Sequence, residues 1–425
     1  MRVKVNPVTG EVTGEVEIGK LVEDSIKVAR ALATKISDVR KRKQIEKFLA
    51  CRWFLGSNRR LAATLAKFYY PGQELKTLDE TVPILYKDGW IPPKPIDLAK
   101  VGLEWSTNQE FNFDESIFAN QNILPLDEKR YSSLLNECIE DIILYDAPTY
   151  RLMEIKNPTE NDYLLKFGLD TYFNYVDTCE LLAYELSKEI VKQVKANAKF
   201  TADSLKDRAR LRLRSQIYPL DFANRSAAVG INTILIVLDN KHASKFYLHE
   251  RGTELAEAMN TISVVPAGTF EPRHTHDAYH TQDFDLYVNL MREFGEELLG
   301  KEEFTASTAK LSDIFETGVL KKINIFVKKG LIKVYFLGIG LDCLTTKPEI
   351  LTALVLERET VDSFLWNEFK DCFEGQHFEV EFSKEQLKRF LEDERIAPAG
   401  AACLWLTEKN FEFFRNIFEY TPNTG

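Results

Sequence analysis

Arg292-Glu293-Phe294-Gly295-Glu296-Glu297-Leu298-Leu299-Gly300 is the stretch on which the reading of this 425-residue chain turns. On a helix, Glu293, Glu296 and Glu297 stand at i, i+3 and i+4 and share one face, while Leu286, Leu290, Phe294 and Leu298 line the opposite face. The apolar stripe predicts a helix packed on a sheet. Like charges at such spacings repel by roughly 0.2–0.5 kcal/mol per exposed pair, and by more once desolvated, so a compensating cation is expected. Mg2+ or Mn2+ suits the site, because a hard ion prefers carboxylate oxygens and takes its remaining contacts from water and substrate phosphates.

Working outward, the flanking sequence supplies the sheet. β-rich runs fall at 229–238 and 245–249 around an Asp239-Asn240 turn, and again at 261–265, 323–327, 332–339 and 350–356. Helical spacings occupy 283–299, 383–391 and 407–418. Strands interleaved with helices predict an α/β domain over 216–425. Upstream, alternating valines about Thr9-Gly10 predict a hairpin over 2–18, followed by helices at 21–36, 43–54 and 58–68. Prolines and polar residues over 70–125 predict loops and short elements, completing a first region, 1–125. A second region, 126–215, is expected to hold a helix at 130–145, a long helix over 159–194 and a basic linker.

Composition narrows the partners. The net charge of -10 argues against nonspecific nucleic-acid binding by the whole chain. No apolar run approaches the ~18 residues of a membrane span, and the N-terminus lacks a secretory core, so the expected location is cytoplasmic. The six cysteines are widely spaced, which predicts reduced thiols rather than a zinc or redox pair.

The carboxylate stretch resembles the signature of the Nudix family: a glycine, five residues, a glutamate, seven residues, then Arg-Glu-apolar-x-Glu-Glu-x-Gly-apolar. Arg292, Glu293, Phe294, Glu296 and Glu297 match its second half, and Val264-Val265-Pro266-Ala267-Gly268 is similar to the family's approach to its catalytic loop. The upstream glycine and glutamate positions hold Ala278 and Phe284. The late glycine position holds Leu299, with Gly300 one residue on. The resemblance implies a Nudix-like α/β/α sandwich in the C-terminal half, preceded by a mainly helical N-terminal region. It further implies Glu293, Glu296 and Glu297 as catalytic residues and ligands of Mg2+ or Mn2+, and Arg292 as a structural ion-pair partner, with Asp283 or Asp285 replacing the missing glutamate. The implied activity is hydrolysis of a nucleoside-diphosphate-linked or related phosphorylated substrate. The altered glycine and glutamate positions motivate an alternative, a regulatory protein that senses a nucleotide or metabolite without cleaving it. A homo-oligomer is compatible with either.

Arg273, His274, His276 and His280 lie between the Val-Pro-Ala-Gly approach and the helix, and are the expected contacts to substrate phosphate. The histidine spacing is also similar to the first metal motif of cupins, but no second such run follows. Two basic stretches compete for attention. Arg40, Lys41, Arg42, Lys43, Lys47, Arg52, Arg59 and Arg60 lie among aromatics and read as solvated helix faces rather than a nucleic-acid surface. Alternation of Lys206, Arg208, Arg210, Arg212 and Arg214 predicts an extended basic edge at the mouth of the site.

Overall fold

The structure, a computed structural model, describes residues 4–5, 12–13, 15–70, 74–110, 123–139, 144–156, 163–196, 210–222, 225–251, 261–273, 280–300, 315, 318–365, 368–369 and 375–418. A short ribbon, β1 (Lys4–Val5) with β2 (Val12–Thr13), precedes helices Glu15–Ala33, Val39–Ser57 and Arg59–Ala66. The expected hairpin thus gives way to helix at Glu15. Three short strands follow, β3 (Lys76–Thr77), β4 (Ile84–Tyr86) and β5 (Ile96–Asp97).

The next strands form a separate sheet. β6 (Val101–Glu110) pairs in parallel with β8 (Tyr163–Thr171), which pairs antiparallel with β7 (Pro148–Lys156). The long helix expected over 159–194 is therefore wrong in its first third. Tyr163, Leu165 and Phe167 are buried while Leu164 and Lys166 are only partly so, which is the two-residue period of a strand. Helix resumes at Tyr172–Tyr175 and continues through a π-helical turn into Leu181–Lys195.

The principal sheet contains β9 (Gly230–Leu238), β10 (Lys245–Arg251), β11 (Ile262–Val264), β12 (Ala267–Thr269), β13 (Ile332–Asp342), β14 (Pro348–Glu357) and β15 (Gly375–Glu381). Among the described residues ten strands join, in the order β11-β10-β9-β14-β13-β4-β3, with β12 beside β9, β15 beside β10 and β5 beside β13. At its centre β9 and β14 run parallel, and both read as nearly unbroken apolar runs because both faces are covered. Ile231, Leu235 and Val237 enter one core, and Ile234, Ile236 and Leu238 the other. Helix Leu286–Glu293 lies on the first face, and Lys384–Leu391 and Pro398–Lys409 on the second. The architecture is a mixed α/β sheet with helices on both faces and a helix-rich N-terminal region.

Two elements of the second half differ from expectation. Residues 323–327 belong to helix Gly318–Lys328 rather than a strand: Leu320 and Ile323 are buried at helical spacing, with exposed lysines between. The last helices begin at Pro398, not 407, because Pro at the first helical turn needs no N–H partner.

The expected regions are stitched together by buried arginines. β3, β4 and β5 come from residues 76–97 yet pair into the principal sheet. Arg60 donates to the carbonyls of Thr81, Leu391 and Asp393. Arg59 forms a two-pronged pair with Glu180, which also accepts from Tyr175 Oη at 2.9 Å. Arg214, 1% exposed, donates to the carbonyls of Leu182, Cys343 and Leu344. Arg59, Arg60 and Arg52 are thus interior groups rather than the solvated faces their spacing suggests. Arg214 likewise leaves the expected basic edge for the core, and Arg210 pairs with Glu189; residues 197–209 lie outside the described residues.

No helix among the described residues is long and apolar enough to cross a membrane. The five described cysteines are free, four of them buried. Burial pushes the Cys51 thiol up to about 12.

Arg214→Met should lower stability by about 3–5 kcal/mol in urea denaturation, because it strands three buried carbonyls. Arg40→Met, on an exposed helix start, should change it by less than about 0.5 kcal/mol.

Candidate functional site

Strand β12 and the helix that follows it build the site. Asp285 caps the helix, its carboxylate accepting from Val288 N–H at 3.0 Å. Leu286, Leu290, Phe294 and Leu298 are all buried, as the apolar stripe predicts. Asn289 laces the helix to the strand, its Oδ1 accepting from Glu271 N–H and its Nδ2 donating to Thr269 O, each at 3.2 Å. Arg292 adds a third tie through Nη1 to Glu271 O, also at 3.2 Å.

The helix does not carry the carboxylates through on a regular α-helical face. Phe294–Leu298 forms a π-helical turn, and Glu293 before it and Glu297 within it both come against β12, at Gly268 and Ala267. Glu297 turns inward. Its Oε2 accepts the Ala267 N–H at 2.8 Å, and its Oε1 lies 3.4 Å from Nδ1 of His249 on β10. His249 and Glu297 are 1% and 4% exposed. Glu293 lies against the backbone of Gly268, where any Cβ would overlap its carboxylate. Glu296 is only partly buried.

Charge is unbalanced at this point. Burial raises the Glu293 carboxyl well above its usual value of 4.5, and repulsion from Glu296, Glu297 and Glu271 adds to the effect, against Arg292. Burial also disfavours the charge on Arg292, yet Glu293, Glu271, Glu296 and Asp283 together hold its pKa above the ordinary arginine value. Four carboxylates therefore act on one guanidinium, whose Nη2 is 3.8 Å from Glu293 Oε1.

The other expected contacts divide. Arg273 does not face a ligand: its side chain is fully buried, and Nη2 lies 2.9 Å from Asp283 Oδ1. Its N–H also donates to Asp283 Oδ2 at 2.8 Å, which closes the base of the loop between strand and helix. Asp283 therefore serves Arg273 foremost and adds to Arg292 only through space. His280 is buried, and its carbonyl accepts from Tyr150 Oη at 2.9 Å. His274 and His276 lie outside the described residues, as does Ala278. Phe284, where the resemblance expects a glutamate, packs edge-on against Trp105 and Tyr150.

Two participants escape sequence reasoning. His249 lies in a strand far from the motif, and only sheet pairing brings it to Glu297. Glu271 follows Gly268 by three residues, so its nearness to the loop is legible although its coupling to Arg292 is not.

No protein-family model matches the chain, and no curated protein matches it.

Gly268→Ala should displace the Glu293 carboxylate while costing less than about 2 kcal/mol of stability, since only the end of a flexible side chain must move. Any response of the melting temperature to Mg2+ should be lost with it. A raised carboxyl pKa means that the folded state binds the proton more tightly. Glu293 therefore contributes stability that is fully present below its unfolded value and lost as pH rises through the folded one. Glu293→Gln should thus stabilise the metal-free protein at neutral pH by on the order of 1–3 kcal/mol, an advantage that fades as pH falls toward 4.5. A variant no more stable than wild type at pH 7 would show that the carboxylate is already compensated.

Proposed function

We propose that the domain is Nudix-like and hydrolyses a nucleoside-diphosphate-linked or related phosphorylated substrate with Mg2+ or Mn2+. The observation that carries this reading is the seating of the Glu293 and Glu297 carboxylates against adjacent residues of β12, Gly268 and Ala267, where Glu296 and Glu271 add further negative charge. An arrangement that costs stability by itself is what a cation-dependent site requires. Among the described residues no three His, Cys, Asp or Glu side chains converge as a ready-made cage. Mg2+ does not need one, because it commonly binds through one or two carboxylates, several waters and the substrate's phosphates. Carboxylate oxygens are the donors such an ion prefers, so one or two of Glu293, Glu296 and Glu297 would hold it. When bound, the ion supplies neutralisation of the diphosphate charge.

The chain's own residues supply the rest. Ala267 N–H and His249 orient Glu297. Gly268 lets Glu293 sit against the strand. Arg292 and Asn289 hold the strand and helix at fixed separation, and the Arg273–Asp283 pair anchors the intervening loop.

Glu297→Gln should abolish Mg2+-dependent turnover of nucleotide sugars, dinucleotides or ADP-ribose while leaving the melting temperature within a few degrees. Absence of turnover by wild type across that panel and nucleoside triphosphates would end the hydrolase reading. One observation favours a second reading, a nucleotide- or metabolite-sensing domain. Both oxygens of Glu297 face groups of the protein itself. Tight nucleotide binding by calorimetry, with no product formed, would select it.

A further inference from the structure

A cavity of about 660 Å³ lies at the opposite end of the carboxylate helix. Its wall combines Asp97–Leu103 of the N-terminal region, Phe284–Tyr287 before and within the helix, the C-terminal half of helix Gly318–Lys328, and the start of β13. The volume is that of a site for a small organic molecule. From Leu286 to Glu293 the helix rises by about 10 Å, so the cavity and the carboxylates are distinct places on one rigid element.

The lining is specific about chemistry. Val101, Leu103, Val327, Ile332 and Val334 form an apolar floor. Tyr287, stacked on Phe315 at 5.7 Å with an interplanar angle of 5°, adds an aromatic wall. Asp97 and Asp285 each spend one oxygen capping a helical turn, on Ala99 N–H and Val288 N–H, and each keeps a second acceptor oxygen. The side chains of Asn324 and Lys328 have no hydrogen-bond or ion-pair partner among the described residues. Lys333 sends its ammonium elsewhere, to Ile417 O at 3.2 Å and over the Phe418 ring. Two carboxylates thus face one available lysine, which disfavours a phosphate and favours a neutral molecule.

We propose that this cavity binds a nucleoside, its base on the apolar and aromatic floor, its ribose hydroxyls donating to Asp97 and Asp285, and its base acceptors meeting Asn324 and Lys328. A flat apolar ring system with hydroxyl donors on one side and acceptor atoms on the other satisfies all three kinds of lining at once. The cavity stands on its own geometry. Only the identification of that nucleoside with one end of a substrate rests on the hydrolase reading. The nucleoside is either free or the neutral end of a larger molecule whose phosphates lie outside the cavity, and the same contacts serve both. The arrangement also gives the N-terminal region a share in ligand selection, through Asp97 to Leu103.

Calorimetry on the full chain with adenosine, cytidine and ADP-ribose tests it, using wild type, Val327→Trp to fill the cavity, and Asn324→Ala. The second variant places a strong helix former at a half-buried position and does not threaten the fold. Adenosine or cytidine should bind wild type, and both variants should weaken it at least tenfold. An equal loss for ADP-ribose assigns the cavity to the nucleoside end of a larger ligand, whereas unchanged ADP-ribose affinity assigns it to a free nucleoside. Failure of both nucleosides to bind at millimolar concentration, or binding that neither variant alters, overturns the proposal. Mg2+-dependent turnover is measured on the same wild-type sample. Its absence sinks the hydrolase reading and leaves the nucleoside result to stand or fall by itself.

Discussion

The seat of one helix against one short strand is the constraint on which this molecule's chemistry depends. Gly268 has no side chain, so the Glu293 carboxylate can lie on the backbone, and one residue earlier the Ala267 N–H holds Glu297. Any other residue at 268 would hold the carboxylate away from the strand. The contact concentrates negative charge where water is scarce, which is why Glu293 resists ionisation. A fold retains such a local penalty when the rest of the domain over-determines it. Here the restraint comes from Asn289, Arg292 and the Arg273–Asp283 pair, together with the buried stripe from Leu286 to Leu298.

The π-helical turn belongs to the same arrangement. On a regular α-helix the three glutamates would share one face. Across the widened turn Phe294 and Leu298 stay in the core and Glu297 meets Ala267 N–H and His249 of β10. Apolar burial therefore sets where the helix lies, and the local geometry sets which carboxylate faces which partner.

Desolvated arginines play the corresponding structural part elsewhere. Arg59, Arg60 and Arg214 each leave the helix-rich region's surface for a cluster of carbonyls or a buried carboxylate, and each joins segments distant in sequence. A guanidinium's five donors in a planar fork can satisfy several carbonyls at once, which a lysine cannot. Together with β3, β4 and β5 these contacts make the N-terminal region part of the same body as the principal sheet, and bring Asp97 to Leu103 beside the carboxylate helix.

Local pattern was enough to place the sheet core. Apolar runs at 229–238, 332–339 and 350–356, the helix at 283–299 and the inward stripe of Leu286, Leu290, Phe294 and Leu298 all follow from side-chain period and hydrophobicity, which act over a few residues. Where two periods fit one composition, as at 163–171 and 318–328, only the partner strand or the covering core decided between them. Net charge could not tell a solvated arginine from a buried one, because that depends on whether carbonyls from remote segments converge on it. Sequence alone determined that three glutamates would share a short helix behind a Val-Pro-Ala-Gly approach. Tertiary structure alone decided that His249 faces one of them, that Gly268 receives another, and that Arg273 is spent on Asp283, since each of these contacts joins residues whose nearness exists only once the chain has folded.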